Sequence, residues 1–375
     1  MNNKRICVLS FRSRNNLAAR CVDFEFEDVI GSIDDIDLIT IEQGFGFSPR
    51  KRVVNQLSRH VSPWFTRFSP SLTRVSLKKN YDLFVAFCQD ITDLLMVNSI
   101  RNWKQRSGMS ICWIDEVWAA GVVKNRALCN RLLSRFDHVI IGCSGAVNTL
   151  QAEAQRPCIY LPPGVDTLKF SPPATNGPER NIDVYSIGRR PLLLHNQLLG
   201  MKRSKNITYL YDQSSNGPLF VRDYLRHRAT MVYNLQRSKY FIVYPAKFDA
   251  PWQTHQQVEF GPRFFEGAAA GAVLIGQPAA SKVFRDIFDW EDAVISLPEE
   301  EHELTALFDE LESDTKRVDR IRRTNMRHCF LKHDWLYRWQ EILDIAGMQP
   351  LPQFEKRRQE LVQCAENVSD SAVSP

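Results

Sequence analysis

Arg263 and Glu266 stand one helical turn apart, directly after Gly261 and Pro262. Gly261 permits the unusual φ of a loop, and Pro262 fits the first turn of a helix, where its missing N–H costs nothing. A helix opening here presents free backbone N–H groups, and its dipole adds to their pull on an anion. Arg263 places a cation at the same end. Glu266, further in, can accept hydrogen bonds from sugar hydroxyls. An anion site beside a hydroxyl-binding carboxylate suits a nucleotide-sugar. The plainer reading is a surface ion pair three residues apart. Gly267 to Gly271 is a run of small residues that gives the helix a smooth face, and Gly271 is placed to end it. Ala272 to Ile275 then reads as a strand buried on both faces.

Three further groups could do chemistry. Gly188-Arg189-Arg190 follows the apolar run Ile182 to Ile187, so a strand enters a turn that can meet phosphate. Asp115 and Glu116 follow Ser110 to Ile114, at a strand end where α/β sheets bind ligands. They could bind an acceptor hydroxyl or remove its proton, or they could be structural carboxylates. Arg12 and Arg14, after the first strand, could meet an acidic group or simply be solvated.

Residues 49–79 contain eight Lys and Arg and no Asp or Glu. Trp64, Phe65 and Phe68 stand among them. Such a stretch can lie on an anionic membrane or grip an anionic acceptor; it can also be a solvated helix and loop. The net charge of +5 is too small to argue for nucleic acid. The nine cysteines are dispersed without a Cys-x-x-Cys, as in a reducing compartment, and most sit in apolar runs as core residues. Cys329 and His333 lack a second pair nearby, so no metal site is expected.

These groups need a scaffold. The chain has 375 residues, enough for two domains, with 44% hydrophobic residues to fill their cores. Apolar strands alternate with helical segments throughout, which predicts α/β architecture with doubly wound parallel sheets. Strands are expected near residues 5–10, 36–41, 81–87, 110–114, 138–143 and 158–161 in the first half. The second half offers 182–187, 207–211, 239–245, 272–275 and 293–297. Helices are expected from about Asp90 to Gln105, from Leu219 to Gln236 and through 301–347. The Pro- and Gly-rich stretch around 173–180 marks a linker. It divides a first domain, 1–172, from a second, 181–348. A polar tail over 349–375 is expected to be helical to about 365 and then disordered. No run reaches the ~20 apolar residues of a membrane span, and Ile6 to Ser10 is too short for a signal peptide, so a cytoplasmic location is expected.

The segment Pro262-Arg263-Phe264-Phe265-Glu266 with Gly271 resembles the donor-binding segment of the GT-B-fold glycosyltransferases, in their large group-1 family of retaining enzymes. It is most similar to a spore-maturation-protein-like branch with the pattern Pro-Arg-x-Phe-Glu. Pro162-Pro163-Gly164-Val165-Asp166 resembles a segment near that family's interdomain linker, and His333 to Trp339 resembles a C-terminal segment whose helix packs back across the domains. The resemblance implies two Rossmann-like domains facing across a cleft, with 1–172 as the acceptor-side domain and 181–348 as the nucleotide-sugar-binding domain. It also implies a nucleotide-sugar donor, an acceptor that it does not specify, and no cofactor. It assigns Gly188 and Arg189, with Arg190 assisting, and Gly261 and Arg263 to the donor diphosphate, and Glu266 to hydroxyls. Many members carry a first Glu near the transferred sugar. Counting back from Glu266, its place falls on Val258, and Glu259 stands one position later. With Asp115 and Glu116, Glu259 completes the catalytic candidates. No Asp-x-Asp follows a strand end, so metal-independent transfer is expected. A non-catalytic relative with the same fold, or another Rossmann enzyme that handles nucleotide-sugars, are the competing readings. The first strand lacks the Gly-x-Gly-x-x-Gly of a dinucleotide site.

Overall fold

The structure, a computed structural model, describes residues 5–12, 17–42, 44–173, 177–212, 219–298 and 300–370. Arg14, the centre of the expected linker and the end of the tail lie outside them. The first half contains β1 (Ile6–Ser10), β2 (Ile36–Thr40), β3 (Tyr81–Cys88), β4 (Ser107–Ile114), β5 (His138–Ile141) and β6 (Cys158–Tyr160). They form a parallel sheet in the order β2-β1-β3-β4-β5-β6. The second half contains β7 (Ile182–Ser186), β8 (Tyr209–Tyr211), β9 (Ser238–Val243), β10 (Val273–Gly276) and β11 (Ile295–Ser296). These form a second parallel sheet, β11-β10-β9-β7-β8. The expected α/β class with two Rossmann-like units is what the chain adopts.

Both faces of the first sheet are covered, which is why its strands read as continuous apolar runs. Along β3, Phe84, Ala86 and Cys88 enter one core, and Leu83, Val85 and Phe87 enter the other. The first core is closed by the helices Phe47–His60, Arg126–Leu133 and Val147–Ala154. The second is closed by Cys21–Ile33 and by two helices from the far end of the chain, Trp335–Ala346 and Pro352–Asp370. Trp335, Trp339, Phe354 and Leu361 are buried there against Ile6, Val8 and Phe26. The last helix runs beyond the expected 365, and its Val368 still lies in this core.

Two elements differ from expectation. Residues 91–99 form 3₁₀ turns rather than a helix to Gln105. Asn98 spends its amide on the carbonyls of Thr66 and Leu95, and Asn102 exchanges hydrogen bonds with the backbone of Leu77. Side chains that bond locally to backbone compete with the helical ladder. The helix expected from Leu219 begins at Tyr224, where the Asp223 carboxylate accepts from the N–H groups of Leu225 and Arg226.

The Arg263–Ala269 helix packs on β9 and β10 as the small residues require. A Cβ on Gly267 would lie 2.5 Å from Leu274 and 2.5 Å from Phe241. Gly271 ends the helix at φ +64°, the left-handed conformation expected of a terminating glycine.

Candidate functional site

The structure brings the candidates into two groups along the boundary between the domains. At the end of β7, Gly188 turns with φ +85°, and its N–H donates to Asp212 at 3.1 Å. Arg190 pairs with the same carboxylate at 2.7 Å. Arg189 is more exposed and holds Asp249 at 2.7 Å. This turn therefore carries two arginines, one of them at the surface, each paired with an aspartate that a bound anion could replace.

Arg263 and Glu266 do form an ion pair, at 2.7 Å, but it is not a surface pair. Glu266 is fully buried and also bonds Arg228. Arg228 in turn reaches Glu25 of the first domain at 2.9 Å. Glu25 also accepts from the Trp335 indole and from the Asp166 N–H. Burial alone would raise the Glu266 carboxyl, but Arg263 and Arg228 outweigh it and hold the group below its ordinary range. Burial would likewise lower Arg228, but Glu25 and Glu266 reverse that and raise it. Removing one member of such a buried pair costs about 3–5 kcal/mol, because the other charge is left uncompensated. His227 lies next to this network. Burial, then Arg263 and Arg228, lower it to about 4, so it is neutral at physiological pH. Gly261 has open space where a side chain would point, which leaves its backbone approachable.

The carboxylate candidates gather on the other side. Glu259 is buried and reaches across to the first domain. It accepts from the N–H groups of Gly145, at 2.7 Å, and Ser144, at 3.0 Å, at the start of the turn after β5. Gln257 donates to it at 2.8 Å and meets the backbone of Val117 and Ala119. Burial raises the Glu259 carboxyl, and the hydrogen bonds it accepts partly oppose this. Glu116 pairs with Lys247 of the second domain, and Lys247 also sits over the Trp118 ring. Asp115 is paired with Asp23 of the Cys21–Ile33 helix. Burial raises both carboxyls, Asp23 strongly, and the hydrogen bond between them adds to the Asp23 shift. A pair like this holds a shared proton where isolated carboxylates would be ionised. It borders a cavity of about 10 Å³, room for one water, which Trp113 also lines.

A larger cavity of about 310 Å³ opens at the boundary. Arg12, Cys21 and Phe24 line it from the first domain, and Arg222, Asp223 and Tyr224 from the second. Arg12 is not a solvated loop residue: it is fixed by Glu27, Asp28 and Tyr224. Sequence spacing identified Arg263 and Glu266 but missed Arg228, Glu25, His227, Asp23 and Gln257. Arg228, Glu25 and Gln257 each have partners far away in sequence, and no local pattern marks these contacts.

Residues 209–344 match the profile of a family described as glycosyl transferase-like. No curated protein sequence matches the chain. Among solved structures, HepE from Anabaena, determined with UDP and glucose, aligns with a TM-score of 0.52 at 12% identity, over 92% of this chain and 100% of that one. A glycosyltransferase from Rickettsia africae aligns with a TM-score of 0.50 at 11% identity, over 92% and 98%. At these identities the likeness is one of fold.

Proposed function

We propose that this chain, a glycosyltransferase with two Rossmann-like domains, transfers a sugar from a nucleotide-sugar donor to an acceptor held at the domain boundary. The observation that carries the reading is the glycosyl transferase-like segment at 209–344, which contains Glu259, Gly261, Arg263 and Glu266. The Gly188 turn with Arg189 and Arg190 would take the donor diphosphate, displacing Asp249 and Asp212 from the guanidinium groups. Fixed cations there would stabilise the negative charge that develops on the leaving nucleoside diphosphate, which is chemistry that needs no metal. Arg263 extends this positive wall, and Glu266 sets its position. The boundary cavity of about 310 Å³ is of the size that takes small ligands and would receive the acceptor. Asp115, sharing its proton with Asp23, is the group closest in character to a general base, and Glu116 would help to orient the acceptor. The retaining outcome and the spore-maturation-like branch rest on the Pro262–Glu266 pattern. Glu259 has a second reading, as a clasp between the domains, favoured by its four hydrogen bonds at the boundary.

A thermal-shift panel of nucleoside diphosphates and their sugar conjugates tests the donor site. A ligand at about 100 times its dissociation constant should stabilise the fold by about 2.7 kcal/mol. One base series is expected to raise the melting temperature of the wild type and to lose most of that shift in Arg189→Ala. No shift with any nucleotide, in a folded sample, would favour a non-catalytic binding protein.

A further inference from the structure

We propose that the first domain carries a pocket for the phosphoryl groups of an anionic membrane surface, formed by Arg67, Arg131 and Arg135 beside an exposed aromatic wedge. Thr66, Arg67, Asn98, Arg131 and Arg135 line a cavity of about 260 Å³ on the face away from the C-terminal helices. The arginines come from two separate elements. Arg67 ends the Pro63–Arg67 turn, Arg131 stands on the Arg126–Leu133 helix, and Arg135 follows that helix. Residues 49–79 and 117–136 contain no Asp or Glu, so neither segment offers these arginines a carboxylate. Thr66 and Asn98 spend their polar groups on backbone carbonyls and so fix the walls. Burial and the neighbouring Arg131 lower Arg135 to about 10, which leaves it charged at neutral pH. Like charges brought together in this way call for an anion with several acceptor oxygens.

What favours a membrane over a soluble phosphate is the surface next to the pocket. Trp64 is 48% exposed, Phe68 44% and Val61 67%. The Trp64 ring touches Phe65 and Phe68, with centroids 5.4 and 5.1 Å away. The preceding helix exposes Arg52, Val53, Arg59 and His60. Aromatic and aliphatic side chains on a basic rim are the composition of a surface that seats at the headgroup level. The site is independent of the sugar-transfer reading, and its test does not involve turnover.

The test is flotation of the full chain with vesicles of phosphatidylcholine alone and of equal parts phosphatidylcholine and phosphatidylglycerol. The wild type is expected to float only with the anionic vesicles, and less as salt is raised. Each removed arginine is expected to lower partitioning about fivefold. The double variant Arg67→Gln/Arg131→Gln, at two exposed positions, should therefore bind about 25-fold less while melting like the wild type. Trp64→Ser should also bind less, and Lys316→Gln, far from the pocket in sequence and exposed, should bind normally. Wild type left at the bottom with anionic vesicles, or a double variant that floats as well as wild type, would overturn the proposal. Stabilisation by inorganic phosphate without flotation would overturn it in favour of a soluble anion.

Discussion

Among single residues, the Asp23–Asp115 pair has the clearest consequence in solution. Both carboxyls titrate above their ordinary range, chiefly because they are buried. Above about pH 4 both groups ionise in the unfolded chain, while the folded pair still holds its shared proton. Their contribution to stability is therefore complete at low pH and is lost as pH rises through the folded-state values. Asp23→Asn removes one ionisable group and the like charge facing Asp115. The wild type is expected to lose more melting temperature between about pH 5 and 8 than the variant does. Parallel losses would mean that the pair does not govern this slope. The sequence signalled Asp115 because it ends a strand, but Asp23 lies on a helix and nothing local marks it. The same holds for Glu266. Its Arg263 partner is three residues away and was legible, whereas Arg228 is 38 residues away and bonds onward to Glu25 across 203. Spacing rules reach one helical turn, and this network spans two domains.

Among the elements, the strands were the most legible part of the fold. The central strands β1, β3, β9 and β10 are short, apolar and almost wholly buried, so composition alone places them, while the edge strands β2 and β11 are half-exposed. Helix starts were less legible, because they depend on caps and on local side-chain bonds, as Asp223 and Asn98 illustrate. The Arg263–Ala269 helix is a case where sequence and packing agree in detail. Gly267 lies against Leu274 and Phe241 with no room for a side chain. Overpacking of this kind typically costs about 1–3 kcal/mol. Gly267→Val is expected to lose at least that much in urea denaturation, and because the helix carries Arg263 and Glu266, to weaken nucleotide binding as well. A variant as stable as the wild type would show that the helix can move off the sheet freely.

Across the whole molecule, the two domains are held together by several independent links. Leu17 pairs with Phe220, Arg12 reaches Tyr224, Arg228 bridges Glu25 and Glu266, and the Gln257–Glu259 loop seats on the turn after β5. A Cβ on Gly145 would lie 2.9 Å from Gln257 and 3.1 Å from Glu259. Gly145→Val should therefore unseat this loop without touching the core of either sheet. The expected result is a larger radius of gyration in solution scattering with little change in secondary structure. An unchanged radius would mean that the remaining links suffice. No helix among the described residues is long and apolar enough to cross a membrane.

The return of the Trp335–Ala346 and Pro352–Asp370 helices onto the first sheet also sets an order of assembly. β1 to β6 are complete by residue 160, yet one side of their sheet waits for side chains synthesised nearly two hundred residues later. Until then Phe26 and Trp113 have no Trp335 or Trp339 to pack against. During synthesis the emerging first half therefore presents an open apolar face while the whole second half is being made. Such a face is the kind that chaperones hold and that associates wrongly when it is left uncovered. The last two helices close the domain that the first strand opened.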